Sequence, residues 1–323
     1  MISLQMRMFL LLSALFGIIY AIFVMAGTAM GVGSFNAYLV LSLVIMFGQY
    51  LLGPKLIEMT MHIRYLGPQE LPALHRMVED LARRAGIPKP RICLSEVAIP
   101  NAFAFGRGRR DGRVCVTRGI MNLLSEDELR AVIGHELAHI KNRDVLTITL
   151  LSVIPAILYR IAWSSIYHGA YRRNSRDSGG TAVIGLTAFL FYFITNLLVL
   201  YGSRIREYFA DKGSVEMGNR PEALASALYK LVYGAARTDR NELRETEGLK
   251  AFFLNDPSRA MNEFRDLRQL DVNRSGTIDS SELSLLQNKE IKLTATDHMM
   301  EWMSTHPNML KRIKHLSELK NTL

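Results

Sequence analysis

The sequence predicts an α-helical membrane protein carrying a mainly helical, mixed α+β domain outside the bilayer. Three observations predict it. Four apolar runs approach membrane-spanning length, short strand-like runs sit between amphipathic helical stretches, and one helical stretch contains H-E-x-x-H. The 323 residues have a mean hydropathy of +0.10 and a formal net charge of +9.

The first apolar run covers Met8 to Gly27 and the second Phe35 to Leu52, and neither holds a charged residue. Each is close to the roughly 20 residues that cross a hydrocarbon core. The second follows directly across a turn with Gly31 and Gly33, which argues against a cleaved signal peptide. The third runs from Val145 to Trp163 and the fourth from Thr181 to Tyr201. Arg160 interrupts the third and is costly in lipid unless it snorkels or faces protein. These two form a second spanning or membrane-embedded hairpin. The chain therefore divides into a transmembrane hairpin (1–55), a first domain half (56–144), the second hairpin (145–202) and a second domain half (203–323).

Basic residues set the orientation. Arg7 precedes the first run, Lys55 follows the second, and the loop between them is uncharged. Positive charge stays inside, so both domain halves are expected in the cytoplasm. Arg172, Arg173 and Arg176 in the second hairpin's loop run against that rule. Arg107, Arg109, Arg110 and Arg113 cluster in one turn without an aromatic platform, which fits anionic headgroups better than nucleic acid. No nucleic-acid partner is expected. Cys93 and Cys115 sit in strand-like runs and read as buried apolar residues in a reducing compartment.

Within the first half, Leu71, Leu74, Met77 and Leu81 recur at helical spacing from Glu70 to Ala85, and Gly86 and Pro88 end that helix. Strands are expected near Arg91–Val97, Ala102–Gly106 and Arg113–Thr117. Ser125 with Glu128 three residues on is a capping box opening the next helix.

That helix carries His135-Glu136-Leu137-Ala138-His139. Two histidines four apart share a helix face, so both imidazoles can reach one metal ion, and Glu136 can aim at a water beside it as a general base. A catalytic zinc takes three protein ligands. Glu207, after the fourth run, is the expected third. Asp211 lies four residues on and can fix a ligand histidine's tautomer from behind. The competing reading pairs both acids with Arg204 and Arg206 on an exposed face. The pattern predicts one catalytic Zn2+ per subunit in a zincin-like metallopeptidase domain.

Taken together, these motifs resemble the HtpX-type membrane zinc metallopeptidases, related to the CAAX prenyl proteases. Gly134–His139, Arg206-Glu207-Tyr208-Phe209-Ala210-Asp211, Pro100-Asn101-Ala102-Phe103-Ala104 and Ser304-Thr305-His306-Pro307 with Lys311-Arg312-Ile313 carry the resemblance. It implies an endopeptidase cleaving misfolded or membrane proteins at the cytoplasmic face of the cell membrane, in protein quality control. It also places Asn101, Ala102 and Phe103 beside an extended peptide substrate, and His306 as a donor to the oxyanion. Two other readings stay open: a non-catalytic membrane calcium sensor or scaffold with structural zinc, and a prenyl-protein protease. The motifs contain no cysteine to close a structural zinc site, which favours catalysis.

An insertion at 259–296 departs from the family. It contains a twelve-residue pattern of EF-hand type. Asp271, Asn273 and Ser275 stand at positions one, three and five, and Gly276 makes the turn. Thr277 offers its carbonyl, Asp279 holds position nine and Glu282 closes at twelve as a bidentate ligand. Ile278 suits the short strand that paired loops share, although no second loop is visible. Ca2+ is a possible second cofactor.

Overall fold

The computed structural model describes residues 47–48, 50–55, 57–59, 61–97, 99–144, 158, 178–237, 267, 270–287, 301, 304 and 306–320. The first apolar run lies outside the described residues, as do most of the second and all of the third except Leu158. The chain forms two units: Met1–Leu52 with Leu146–Gly202, and Gly53–Val145 with Ser203–Leu323.

In the first unit, the fourth apolar run is helical. It belongs to the helix Ser178–Glu216, whose last turns, from Ser203, fall in the second unit. The stretch Gly185–Glu216 is long and apolar enough to cross a membrane, with a hydropathy of 1.6 over its most apolar window. Leu186, Phe189, Leu190, Phe193 and Ile194 are exposed along it, as a lipid-facing surface would be.

The second unit holds a four-stranded sheet. Its strands are β1 (Ile63–Tyr65), β2 (Arg91–Ser95), β3 (Ala102–Gly106) and β4 (Gly112–Thr117), in the order β1-β2-β4-β3. β2 and β4 run parallel, and the two outer pairs are antiparallel. Side chains alternate faces along a strand. Ile92, Leu94, Val114 and Val116 enter the main core on one side, while Cys93, Cys115, Phe103 and Phe105 pack with Met61 on the other. Burial pushes both thiols up, Cys93 to about 12, so they are inert apolar residues.

Among the described residues, the helices of this unit are α1 (Pro72–Ala85), α2 (Arg118–Leu123), α3 (Glu126–Asn142), the end of α4 (Ser178–Glu216), α5 (Pro221–Arg237), α6 (Ser280–Gln287) and α7 (Met309–Leu319). α1 opens on Pro72 and closes on Gly86 at φ 69°, where the N–H groups of Gly86 and Ile87 return to carbonyls of the last turn. α3 opens on the expected capping box, Ser125 with Glu128. Glu128 also accepts from Ser226 Oγ (2.6 Å) and Lys230 Nζ (2.8 Å) on α5, which ties the first turn of α3 to the middle of α5.

Two glycines set how closely α3 meets the end of α4. A Cβ at Gly134 would strike Asn219 Nδ2 and come within 2.8 Å of Ser214 Oγ, and one at Gly213 would come within 2.6 Å of Ala138 Cβ. This close approach brings the His135 helix against the segment holding Glu207 and Asp211.

Residues 271–279 form a loop leading into α6. Ile278, expected in a strand shared between paired loops, is 2% exposed and packs in the main core instead. Leu267, Leu270, Leu283 and Leu286 join it there. α7 starts at Met309 with Asn308 as its N-cap, so Pro307 stands just ahead of the helix rather than in its first turn.

Candidate metal centre

α3 presents His135 and His139 on one face, and the end of α4 brings Glu207 to it. His135 Nε2 lies 3.1 Å from His139 Nε2 and 3.5 Å from Glu207 Oε2. His139 Nε2 lies 3.5 Å from Glu207 Oε1. Zinc bonds of about 2.0–2.1 Å at tetrahedral angles place ligand atoms roughly 3.3–3.4 Å apart. The two histidine nitrogens lie close to that edge, and Glu207 reaches each of them with a different oxygen at 3.5 Å, so the residues fit a zinc ion held by two imidazoles and one carboxylate. Among the described residues this is the one group of three His, Cys, Asp or Glu ligand atoms mutually within 4.8 Å.

The far ring nitrogens explain why both Nε2 atoms point the same way. His135 Nδ1 is 2.9 Å from Asp211 Oδ1, and His139 Nδ1 is 2.7 Å from Asp144 Oδ2. A carboxylate behind each ring holds the proton on Nδ1 and leaves Nε2 as a lone-pair donor. Asp144 was not expected from the sequence. It stands five residues after His139, at the mouth of an apolar run where an acid is out of place, and that was the available signal.

Arg312 was also missed as a site residue. It is fully buried. Nε and Nη2 bond both oxygens of Asp211 (3.0 and 2.6 Å), and Nη1 lies 3.0 Å from Glu207 Oε2. One guanidinium from α7 thus holds both acids of the α4 segment. Arg206, expected as a possible surface partner for those acids, is buried instead and donates to the Asp144 carbonyl (3.1 Å). Arg204 reaches the Glu301 and Ser304 carbonyls, both at 2.9 Å. The exposed ion-pair reading of this segment therefore fails.

Burial lowers the basicity of His135 and His139, but the carboxylates beside them, Asp211 and Glu207 for His135 and Asp144 and Glu207 for His139, more than offset it. His135 is raised and His139 is held up to about 10. The acids around the two rings favour positive charge between them, from a proton or from a metal ion. Burial lifts the Glu136 carboxyl above the ordinary range, His135 and His139 pull it partly back, and the Ala104 N–H donates to it from β3.

His306 comes from the segment before α7. Its Nδ1 lies 3.4 Å from Glu207 Oε2, and neither ring nitrogen has a hydrogen-bond partner although both are buried. Glu207 Oε2 likewise has ion-pair neighbours but accepts no hydrogen bond. Buried polar atoms without partners are costly, so this corner is built for something that supplies the missing interactions.

Asn101 stands just ahead of β3, where its N–H donates to Thr117 Oγ1 and its carbonyl accepts from the Thr117 N–H (both 2.9 Å). Ala102 and Phe103 have buried side chains, Phe103 on the far face of the sheet, so these residues can offer a substrate only main chain. β3 is an edge strand, which leaves one side of that main chain outside the sheet.

The 271–282 loop is closed by its own carboxylates. Asp271 accepts from the Ser275 and Gly276 N–H groups, and Glu282 from those of Val272, Asn273 and Asp279. Gly276 has φ +78°. Asn273 Nδ2 donates to Asp279, and the Thr277 carbonyl accepts from Ser275 Oγ (both 3.3 Å). Asp271 also accepts from Tyr229 on α5 (3.3 Å).

Comparison with known proteins agrees with this geometry. The profile of peptidase family M48 matches residues 68–320. The chain is 53% identical over 230 residues to a protease HtpX homolog of Methanothermobacter thermautotrophicus, covering 71% of this chain and 86% of that one. It is 30% identical over 329 residues to the protease HtpX homolog of Moorella thermoacetica, covering 99% and 96%. The crystal structure of S. mikatae Ste24p is similar at 16% identity and a TM-score of 0.47, covering 97% of this chain, which spans 65% of that structure's length.

Proposed function

The chain belongs to peptidase family M48 and is a membrane-associated metallopeptidase, and on that basis we propose that His135, His139 and Glu207 hold its catalytic zinc while Glu136 is the general base. The observation that carries this is the convergence of the three ligand groups, within 4.8 Å of one another, with a carboxylate behind each histidine. What zinc supplies when bound is Lewis acidity, which makes water a usable nucleophile near neutral pH and polarises a peptide carbonyl.

Glu136 takes the proton from the attacking water and returns it to the leaving amine. Burial supports this, because a raised carboxyl is a better match for both transfers. His306, with two unpartnered ring nitrogens, donates to the oxyanion that forms at the scissile carbon. The substrate lies extended along β3 with Asn101, Ala102 and Phe103 presenting main chain. Asp211, Asp144 and Arg312 orient the ligands from behind.

We read the domain as zincin-like, the membrane part as multi-pass, and the active site as cytoplasmic. Arg7 and Lys55 flanking the first hairpin support that orientation. Polypeptides are the substrate class, and misfolded or membrane proteins are the proposed members of it. The structural-zinc scaffold and the prenyl-protein protease are not favoured: three ligands without a cysteine leave a position open, and the relatives above are HtpX-type proteases. The test is hydrolysis of an unfolded casein-like polypeptide by wild type and Glu136→Gln, each with zinc content measured. Glu136→Gln should keep zinc and lose at least about a hundredfold in rate. Full turnover by the zinc-loaded variant would remove Glu136 from the mechanism.

A second cation is proposed at the inserted loop, where Asp271, Asn273, Ser275, Thr277, Asp279 and Glu282 follow EF-hand order and Gly276 makes the turn. Three carboxylates without a paired loop place Ca2+ affinity at about 10⁻⁵–10⁻³ M. The Tyr229–Asp271 contact offers a route to α5 and so to α3. Calorimetry with calcium on wild type and Glu282→Gln decides it, and no heat at millimolar calcium would remove the site.

A further inference from the structure

The turn after β3 and the end of α3 form one basic surface. Arg113 is not part of it. At 5% exposure it is spent on Asp111 (3.0 Å) and Tyr65 Oη (2.8 Å). Asp111, the turn's acid, is also bracketed by Arg91 (3.1 Å) and Arg107 (3.4 Å). It has no charge left to offset its neighbours Arg109 and Arg110, which are exposed. Arg109 Nε donates to the Lys141 carbonyl (2.6 Å), which fixes the turn against the end of α3. Lys141 and exposed Arg143 stand there, and the apolar run beginning at Val145 follows two residues after Arg143.

We propose that Arg109, Arg110, Lys141 and Arg143 form a docking surface for the headgroup phosphates of anionic lipids. Two residues of extended chain reach at most about 7 Å. That is inside the Debye length of roughly 8–10 Å at physiological salt, so Arg143 senses a charged membrane surface wherever the run enters it. Arginine forks match phosphate oxygens two at a time, and a turn pinned by a main-chain bond presents them with little ordering cost. The inference rests on the reading that the run beginning at Val145 enters the bilayer.

The full chain in nonionic detergent is titrated with phosphatidylglycerol and, separately, phosphatidylcholine, with bound lipid counted by native mass spectrometry. Wild type is compared with Arg110→Gln, which leaves the Arg109–Lys141 bond intact, and with Arg109→Gln/Arg110→Gln/Lys141→Gln. Phosphatidylglycerol binding should weaken about fivefold per charge removed, with phosphatidylcholine binding and zinc content unchanged. Equal affinity for both lipids in wild type, or an unchanged preference in both variants, overturns the proposal. A chain that stays soluble without detergent and takes up neither lipid fails the membrane reading itself. Binding of a duplex DNA oligonucleotide that the same substitutions abolish, without lipid preference, would assign the surface to nucleic acid and overturn it equally.

Discussion

At the scale of single residues, the centre is a set of charges that define one another. Removing Glu207 leaves two histidines, whereas removing Asp144 leaves all three ligands but frees the His139 ring. Glu207→Ala should therefore lose zinc on dialysis. Asp144→Asn should retain it with about ten- to a hundredfold weaker affinity, read by competition with a chromogenic chelator. Stoichiometric zinc in dialysed Glu207→Ala would place the third ligand elsewhere. A pH effect follows from His139. With its pKa held up to about 10 by Asp144 and Glu207, the metal-free ring is protonated at pH 8, and zinc must displace that proton. Calorimetry in buffers of different ionisation enthalpy should find about one proton or more released per zinc at pH 8, and no release would contradict the geometry. The sign for stability is that of a raised group. The metal-free fold keeps the full contribution below about pH 6.5 and loses it as pH rises through about 10.

At the scale of elements, much was legible. Helical spacing of apolar residues, the Gly86 stop and the Ser125 capping box located α1 and α3, and short strand-like runs located β2, β3 and β4. β1 was not legible, because three residues of a partly exposed edge strand carry no alternation to read. Asp211 and Glu207 could be read because they share a helix face with a four-residue spacing. Arg312 could not be read as a site residue, because a buried arginine and a surface one look alike in a local pattern such as Lys311-Arg312. Its partners lie about a hundred positions away. The packing of α3 on α4 makes its own prediction. Alanine at Gly134 would gain about 1 kcal/mol of helix propensity, but overpacking against Ser214 and Asn219 costs typically about 1–3 kcal/mol. Gly134→Ala should lower Tm and weaken zinc binding together, since it pushes Glu207 away from His135. A raised Tm with unchanged zinc affinity would show that the helices have room.

At the scale of the whole molecule, three distant segments build the centre: 135–144 on and after α3, 207–211 on α4, and 306–312 leading into α7. Arg312 joins the last to the second. Removing one partner of a buried ion pair costs about 3–5 kcal/mol, because the charges left behind are uncompensated. Zinc supplies positive charge to the same carboxylates, so the metal should repay part of that loss. Arg312→Met should lower Tm more in the metal-free chain than in the zinc-loaded one. Equal losses in both forms would reduce Arg312 to a packing role.

A ribosome makes the His135 helix long before it makes Arg312. During that interval Asp211 and Glu207 lack the guanidinium that holds both acids in the finished chain. The growing chain then carries every proposed zinc ligand but not their fixed arrangement.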